Sequence, residues 1–167
     1  MSAPAFPLAP HDHRACMAQT LAAAESLAQT RGAKLTALRR RVLEIVLASH
    51  RPARAYGVLG VLTRDGATPA PPTVYRALDF LRAQGFVHRI DSLNAFVGCF
   101  APAKAHRGHF FLCRGCGRAA EIGDTRLDQS LAQAARTAGF AVEHETVEIT
   151  GRCADCRDTS SAEPASG

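Results

Sequence analysis

No apolar run in this chain approaches the roughly 18 consecutive residues that a helix needs to cross a bilayer, so a helical membrane anchor is excluded. The first ten residues hold three prolines and no Lys or Arg, and so lack the charged-then-apolar order of a secretory signal. Residues 1–10 are expected to be disordered and the protein cytoplasmic. The marks of catalysis are also missing: no H-x-E stands beside a CxxC, and no nucleophile with a placed base is visible. Neither catalytic residues nor a small-molecule substrate is therefore expected, and 167 residues leave no room for a large enzyme scaffold. Acidic residues are scarce in one stretch. Residues 34–89 carry ten Lys/Arg against three Asp/Glu, whereas residues 91–167 carry eight against ten. A basic half is what a polyanion needs, because each neutralised phosphate releases counterions; a solvated cationic face is the alternative.

What is present is a core-forming composition, 47% apolar and 21% charged, with six cysteines. In a reducing compartment those thiols suit metal ligation better than disulfides. Asp12 caps an expected first helix that runs past Leu27 to Gly32, and Thr36 starts a second with Leu38, Val42, Ile45 and Val46 on one stripe. A third is expected over Ala55–Thr63 and a fourth over Thr73–Gln84, with Val74, Leu78 and Leu81 facing inward. Phe86–Ile90 and Ala95–Phe100 read as a hairpin around Asp91–Asn94. Short helices followed by a hairpin make a winged helix, whose last helix enters the major groove of DNA.

Ala101–Ala105 reads as a hinge. Beyond it, His109–Leu112 and Arg118–Ile122 are expected strands, Asp124 caps a helix ending at Gly139, and a third strand is expected from Phe140 to Ile149 with a bulge near His144–Thr146. The expected class is α+β: a winged-helix DNA-binding domain (11–98), a hinge (99–106), and a small dimerisation and zinc-binding domain (107–157) with a three-stranded sheet and one helix. A disordered tail (158–167) follows. So small a sheet needs a metal staple, a second subunit, or both.

Cys113-Arg-Gly-Cys116 and Cys153-Ala-Asp-Cys156 are two CxxC pairs separated by 36 residues. Each aims two thiolates at one ion, and together they complete a closed tetrahedral zinc set; redox activity of a single CxxC is the rival. His88, Cys99, His106, His109, Glu121 and His144 are looser candidates. His88, Cys99, His106 and Glu121 fall on both sides of the hinge, where one ion would cross-link the two halves. The thiolate of Cys99 favours zinc over octahedral, oxygen-loving metals. His11, His13 and Cys16, in or beside the first turn of the first helix, carry no assigned role.

Pro71-Pro-Thr-Val-Tyr-Arg-Ala-Leu-Asp-Phe-Leu81, then Gly85-Phe-Val-His88, then the paired CxxC motifs, together resemble the ferric uptake regulator family over about residues 15–157. With Cys99 they resemble its zinc uptake regulator branch. The resemblance implies a homodimeric, metal-dependent repressor that binds double-stranded operator DNA and two zinc ions per subunit. It gives Cys113, Cys116, Cys153 and Cys156 the structural zinc, and His88, Cys99, His106 and Glu121 the regulatory one. Tyr56, Tyr75 and Arg76 match positions that contact DNA in relatives. Thr73 lies on the same helix, and Arg39, Arg40 and Arg41 are weaker, backbone-contacting candidates. Another sensed metal, peroxide sensing, or a zinc hydrolase are the competing functions, and whether His109 and His144 form a third site is open.

Overall fold

The structure is a computed structural model that describes residues 12–103 and 108–158. They fall into two compact units divided between residues 105 and 106. The first begins with α1 (His13–Thr30), and the Asp12 carboxylate accepts the Arg14 and Ala15 N–H groups, as a capping residue should. Thr36 caps α2 (Ala37–Leu47) through the Arg39 N–H. α3 (Ala55–Arg64) and α4 (Pro71–Ala83) follow. α4 starts two residues earlier than the expected Thr73, because Pro71 and Pro72 occupy its first turn, where no N–H partner is needed.

The apolar stripes converge on one core. Val42, Leu43, Val46 and Leu47 of α2 meet Val58 and Leu62 of α3 and Val74, Leu78 and Leu81 of α4, all at most 1% exposed. Leu21, Ala24 and Ala28 of α1 close it on one side, and Phe86 and Val87 on another. β1 (Val87–Ile90) and β2 (Ala95–Gly98) pair antiparallel, with Val87 opposite Gly98 and Ile90 opposite Ala95. A Cβ at Gly98 would stand 2.3 Å from a Leu47 methyl, so β2 can lie this close to α2 only without a side chain there. Ala53 bridges Phe96, which ties the segment before α3 to the hairpin. The expected winged helix is present in this unit.

The second unit is a three-stranded sheet in the order β4-β3-β5, with β3 (Gly108–Cys113) central. β4 (Ala119–Glu121) runs antiparallel to it, and β5 (Thr146–Gly151) runs parallel. Between them lies α5 (Thr125–Thr137), capped by Asp124. Two expectations need correction. The third strand does not begin at Phe140: the Gly139 and Phe140 N–H groups return to the Arg136 and Ala135 carbonyls and cap α5, and β5 starts where Thr146 faces the first residue of β3. The unit also has a second helix, α6 (Ala154–Asp158), although a single helix was expected in it and Asp158 was assigned to the disordered tail; the second CxxC builds the first turn of α6. Among the described residues, no helix is long and apolar enough to cross a membrane.

Candidate metal centres and nucleic-acid interface

The parallel pairing of β3 with β5 sets Cys113 opposite Gly151, so the CxxC that leaves β3 and the CxxC that follows β5 arrive side by side. The four sulfurs of Cys113, Cys116, Cys153 and Cys156 all lie within 4.8 Å of one another. Cys116 and Cys153 are 3.9 Å apart, close to the edge of about 3.8 Å that a tetrahedron with zinc–sulfur bonds of about 2.3 Å requires. None of the four is in a disulfide. A Cβ at Gly115 would stand 2.7 Å from the Cys156 sulfur, so the first knuckle closes over the second only because that residue has no side chain.

The backbone is arranged to hold negative sulfur. N–H groups of Cys116 and Cys153 aimed at the Cys113 sulfur lower its pKa to about 6, and the Cys153 N–H lies 3.3 Å away. Burial is the largest influence on Cys116 and works against its ionisation, yet hydrogen bonds from the Arg118 guanidinium, the Arg118 N–H and Cys153 together lower its pKa. The shared hydrogen bond with Cys153, then burial, pushes Cys156 up to about 12. An ion entering this cluster meets thiolate at one end and displaces a proton at the other, as closed thiolate sites require. The donor set therefore fits zinc. Arg118, whose Nε donates to the Cys116 sulfur at 3.2 Å, was expected only as the start of a strand and not as a partner of the thiols; a cation two residues past a CxxC was the available signal.

The looser candidates divide between the units. His88 is half-buried on β1; Cys99 follows β2 with no exposure, its N–H bonded to the Phe86 carbonyl at 3.0 Å. A ring nitrogen of His88 lies within 4.8 Å of the Cys99 sulfur, so the hairpin alone supplies an imidazole and a thiol to one point. Glu121, half-buried, ends β4 in the second unit. His106 lies outside the described residues, as do His11 and residues 104–106 of the expected hinge. His13 ties the start of α1 to the end of α2 through a hydrogen bond between its Nε2 and the Leu47 carbonyl at 3.0 Å, and its ring packs on His50.

His109 and His144 do not converge. His109, 1% exposed, places Nε2 2.9 Å from Glu145 and Nδ1 3.5 Å from Asp128, while His144 bonds Thr146 at 3.1 Å. The side chains of His109, Asp128 and Glu145 could hold a cation, and they tie α5 and the start of β5 to β3. Neither carboxylate was singled out from sequence, because they lie 19 and 36 positions along the chain from His109.

On the first unit, α4 and the start of α3 carry the DNA candidates. Tyr56 is 70% and Tyr75 40% exposed; Arg76 is exposed and Thr73 half-buried. Arg76 makes a long bond, 3.4 Å, to the Pro72 carbonyl of its own helix. Arg39 bonds the Lys34 carbonyl at 2.7 Å and stacks on Phe80; Arg40 pairs with Glu25 and Glu44, and Arg41 with Glu44 and Asp65. Those three cations already have protein partners that a phosphate would compete with or share.

The sequence profile of the ferric uptake regulator family matches residues 30–150, most of both units. The chain belongs to the ferric uptake regulator family. Within it, the chain is 36% identical over 139 residues to the zinc uptake regulation protein of Escherichia coli K12, covering 83% of this chain and 81% of that one. Among solved structures it is similar to a zinc uptake regulator complexed with zinc and DNA, with 33% identity, TM-score 0.82, and 87% and 98% of the two chains covered. It is also similar to holo XcZur, with 38% identity, TM-score 0.77, and 84% and 98% covered. The α+β architecture and the family expected from the sequence both stand.

Proposed function

We propose that this ferric uptake regulator family member is a zinc-responsive repressor of zinc-uptake genes, a cytoplasmic homodimer that binds double-stranded operator DNA when loaded with two zinc ions per subunit. One zinc is structural, held by Cys113, Cys116, Cys153 and Cys156, and keeps the second unit folded. The other is regulatory, held by His88, Cys99, His106 and Glu121, with residues 99–106 as the hinge it spans. The observation that carries zinc as the signal is Cys99, a buried thiol beside His88 at the end of the hairpin. Thiolate with imidazole favours zinc over octahedral, oxygen-loving metals, and the relatives named for zinc uptake support the same choice.

A regulatory zinc favours the arrangement of the two units in which a dimer's α4 helices reach successive major-groove segments. Tyr56, Thr73, Tyr75 and Arg76 then face DNA, with Arg39, Arg40 and Arg41 as backbone contacts. The reading is a regulator rather than an enzyme, because four thiolates leave no open position for substrate. Metal analysis of the purified chain, paired with operator binding before and after mild chelation, tests it. Two zinc ions per chain are expected, one lost to the chelator together with DNA binding. Unchanged binding after loss of the exchangeable ion would overturn zinc as the signal.

A further inference from the structure

Arg118 touches both knuckles of the four-thiol cluster with three separate groups. Its carbonyl accepts the Cys113 N–H at 2.9 Å, its Nε donates to the Cys116 sulfur at 3.2 Å, and its Nη2 donates to Asp155 at 2.9 Å. Cys113 and Cys116 are the two ends of the first CxxC, and Asp155 lies inside the second. The planar guanidinium is therefore a strap from one knuckle to the other, with its side chain 28% exposed and that of Asp155 65%. The knuckle it reaches is carried on α6, five residues long and open to solvent, so side-chain ties matter there.

We propose that Arg118, oriented by Asp155, is a positioning residue that sets how slowly zinc leaves the four-thiolate centre. This rests on the structural zinc reading above. Four thiolates around zinc carry a net formal charge of about −2, and a guanidinium at one sulfur offsets part of it through a charge-assisted hydrogen bond. Zinc leaves by detaching one thiolate and then separating the knuckles. Detaching Cys116 breaks its bond from Arg118, and swinging the second knuckle away breaks the Arg118–Asp155 pair. The strap opposes both motions.

The test follows zinc retained by the full-length, zinc-loaded chain after mixing with excess EDTA. Arg118→Ala is expected to release the structural zinc about 10- to 100-fold faster, the usual cost of losing an outer partner of a metal ligand. Asp155→Asn should fall between it and wild type, and Arg118→Lys should recover part of the loss, since an ammonium keeps the charge without the two-ended fork. The double variant Arg118→Ala/Asp155→Asn should be no faster than Arg118→Ala. A general loss of structure would instead add the two effects, and would show in the far-ultraviolet spectrum of the loaded protein. Should Arg118→Ala fail to fold, the exposed Asp155→Asn carries the test. Wild-type release rates in Arg118→Ala and Asp155→Asn would overturn the strap alone. A wild-type chain without a slowly released zinc, or one retained by Cys116→Ser, would overturn the four-thiolate reading and the strap with it.

Discussion

Cys113 and Cys156 stand at opposite ends of the thiol cluster's acid–base behaviour, one held near pH 6 by backbone N–H groups and the other raised to about 12. In the proposed structural site, zinc would remove that asymmetry by taking all four as thiolates, and its binding free energy would become folding free energy of the small unit. Structural zinc contributes about 10–16 kcal/mol in comparable small domains, which matches or exceeds the whole stability of an ordinary domain, about 5–15 kcal/mol. Cys113→Ser or Cys156→Ser is therefore expected to lose both the tightly held zinc and the dimer. Sedimentation velocity with metal analysis checks this, and a stable zinc-free dimer would contradict it. Arg76 is the proposed base-reading side chain: it is exposed on α4 and, among the described residues, makes a long bond to the Pro72 carbonyl of its own helix, which a guanine edge would replace. Arg76→Ala should cost about 1–3 kcal/mol at the preferred base and relax specificity there. Binding measured across a set of operator variants distinguishes this from a phosphate contact, which would weaken all sequences alike and flatten the salt dependence.

Among the elements, α5 is the one whose stability rests most visibly on its ends. It has no fully buried residue, and Asp124 caps it by accepting the Arg126 N–H and pairing with the Arg126 guanidinium. Those partners lower the Asp124 pKa below its ordinary 3.8. A depressed folded-state pKa contributes stability above the unfolded pKa and loses it as pH falls through the folded one. Asp124→Asn should thus be less stable than wild type at neutral pH, with the gap narrowing as pH drops below about 4. Urea unfolding at a series of pH values checks this, and a gap independent of pH would contradict it. Elements of this kind were legible in the sequence wherever a local chemical signal marks an end: Asp12, Thr36 and Asp124 at helix starts, the alternation of the hairpin, the CxxC turns. Where the deciding partner lies far along the chain, legibility failed. The start of β5 depends on which residue of β3 it faces, Arg118 on a knuckle 37 residues away, and the convergence of Asp128 and Glu145 on His109 on the packing of α5 against the sheet. The regulatory ligands could be proposed from their places around the hinge, and the hairpin brings His88 to Cys99; the contribution of His106 lies outside the described residues.

At the scale of the whole molecule, the second unit leaves apolar surface that a single chain does not cover. Phe140 is 69%, Val142 45% and Ile149 44% exposed, and β5 is an edge strand of the sheet. An open edge with apolar side chains invites pairing with another chain, and a second copy is the partner a homodimeric regulator provides. Ile149→Lys should produce monomers that keep their tightly bound zinc, read by sedimentation velocity; an unaffected dimer would place the interface elsewhere. The regulatory step acts on that dimer, and only an ion that distinguishes the DNA-competent arrangement can shift it. Moving such an equilibrium from 1:99 to 99:1 takes about 5.5 kcal/mol of differential binding. Removing the Cys99 thiolate from the proposed four-ligand site is expected to take away a large share of that. Zinc titrated into wild type and Cys99→Ser, with operator binding followed in both, tests the switch most directly. Cys99→Ser is expected to keep its fold, its dimer and the four-cysteine zinc yet lose most of the zinc-stimulated binding, whereas superimposable curves would contradict a sensing role for Cys99.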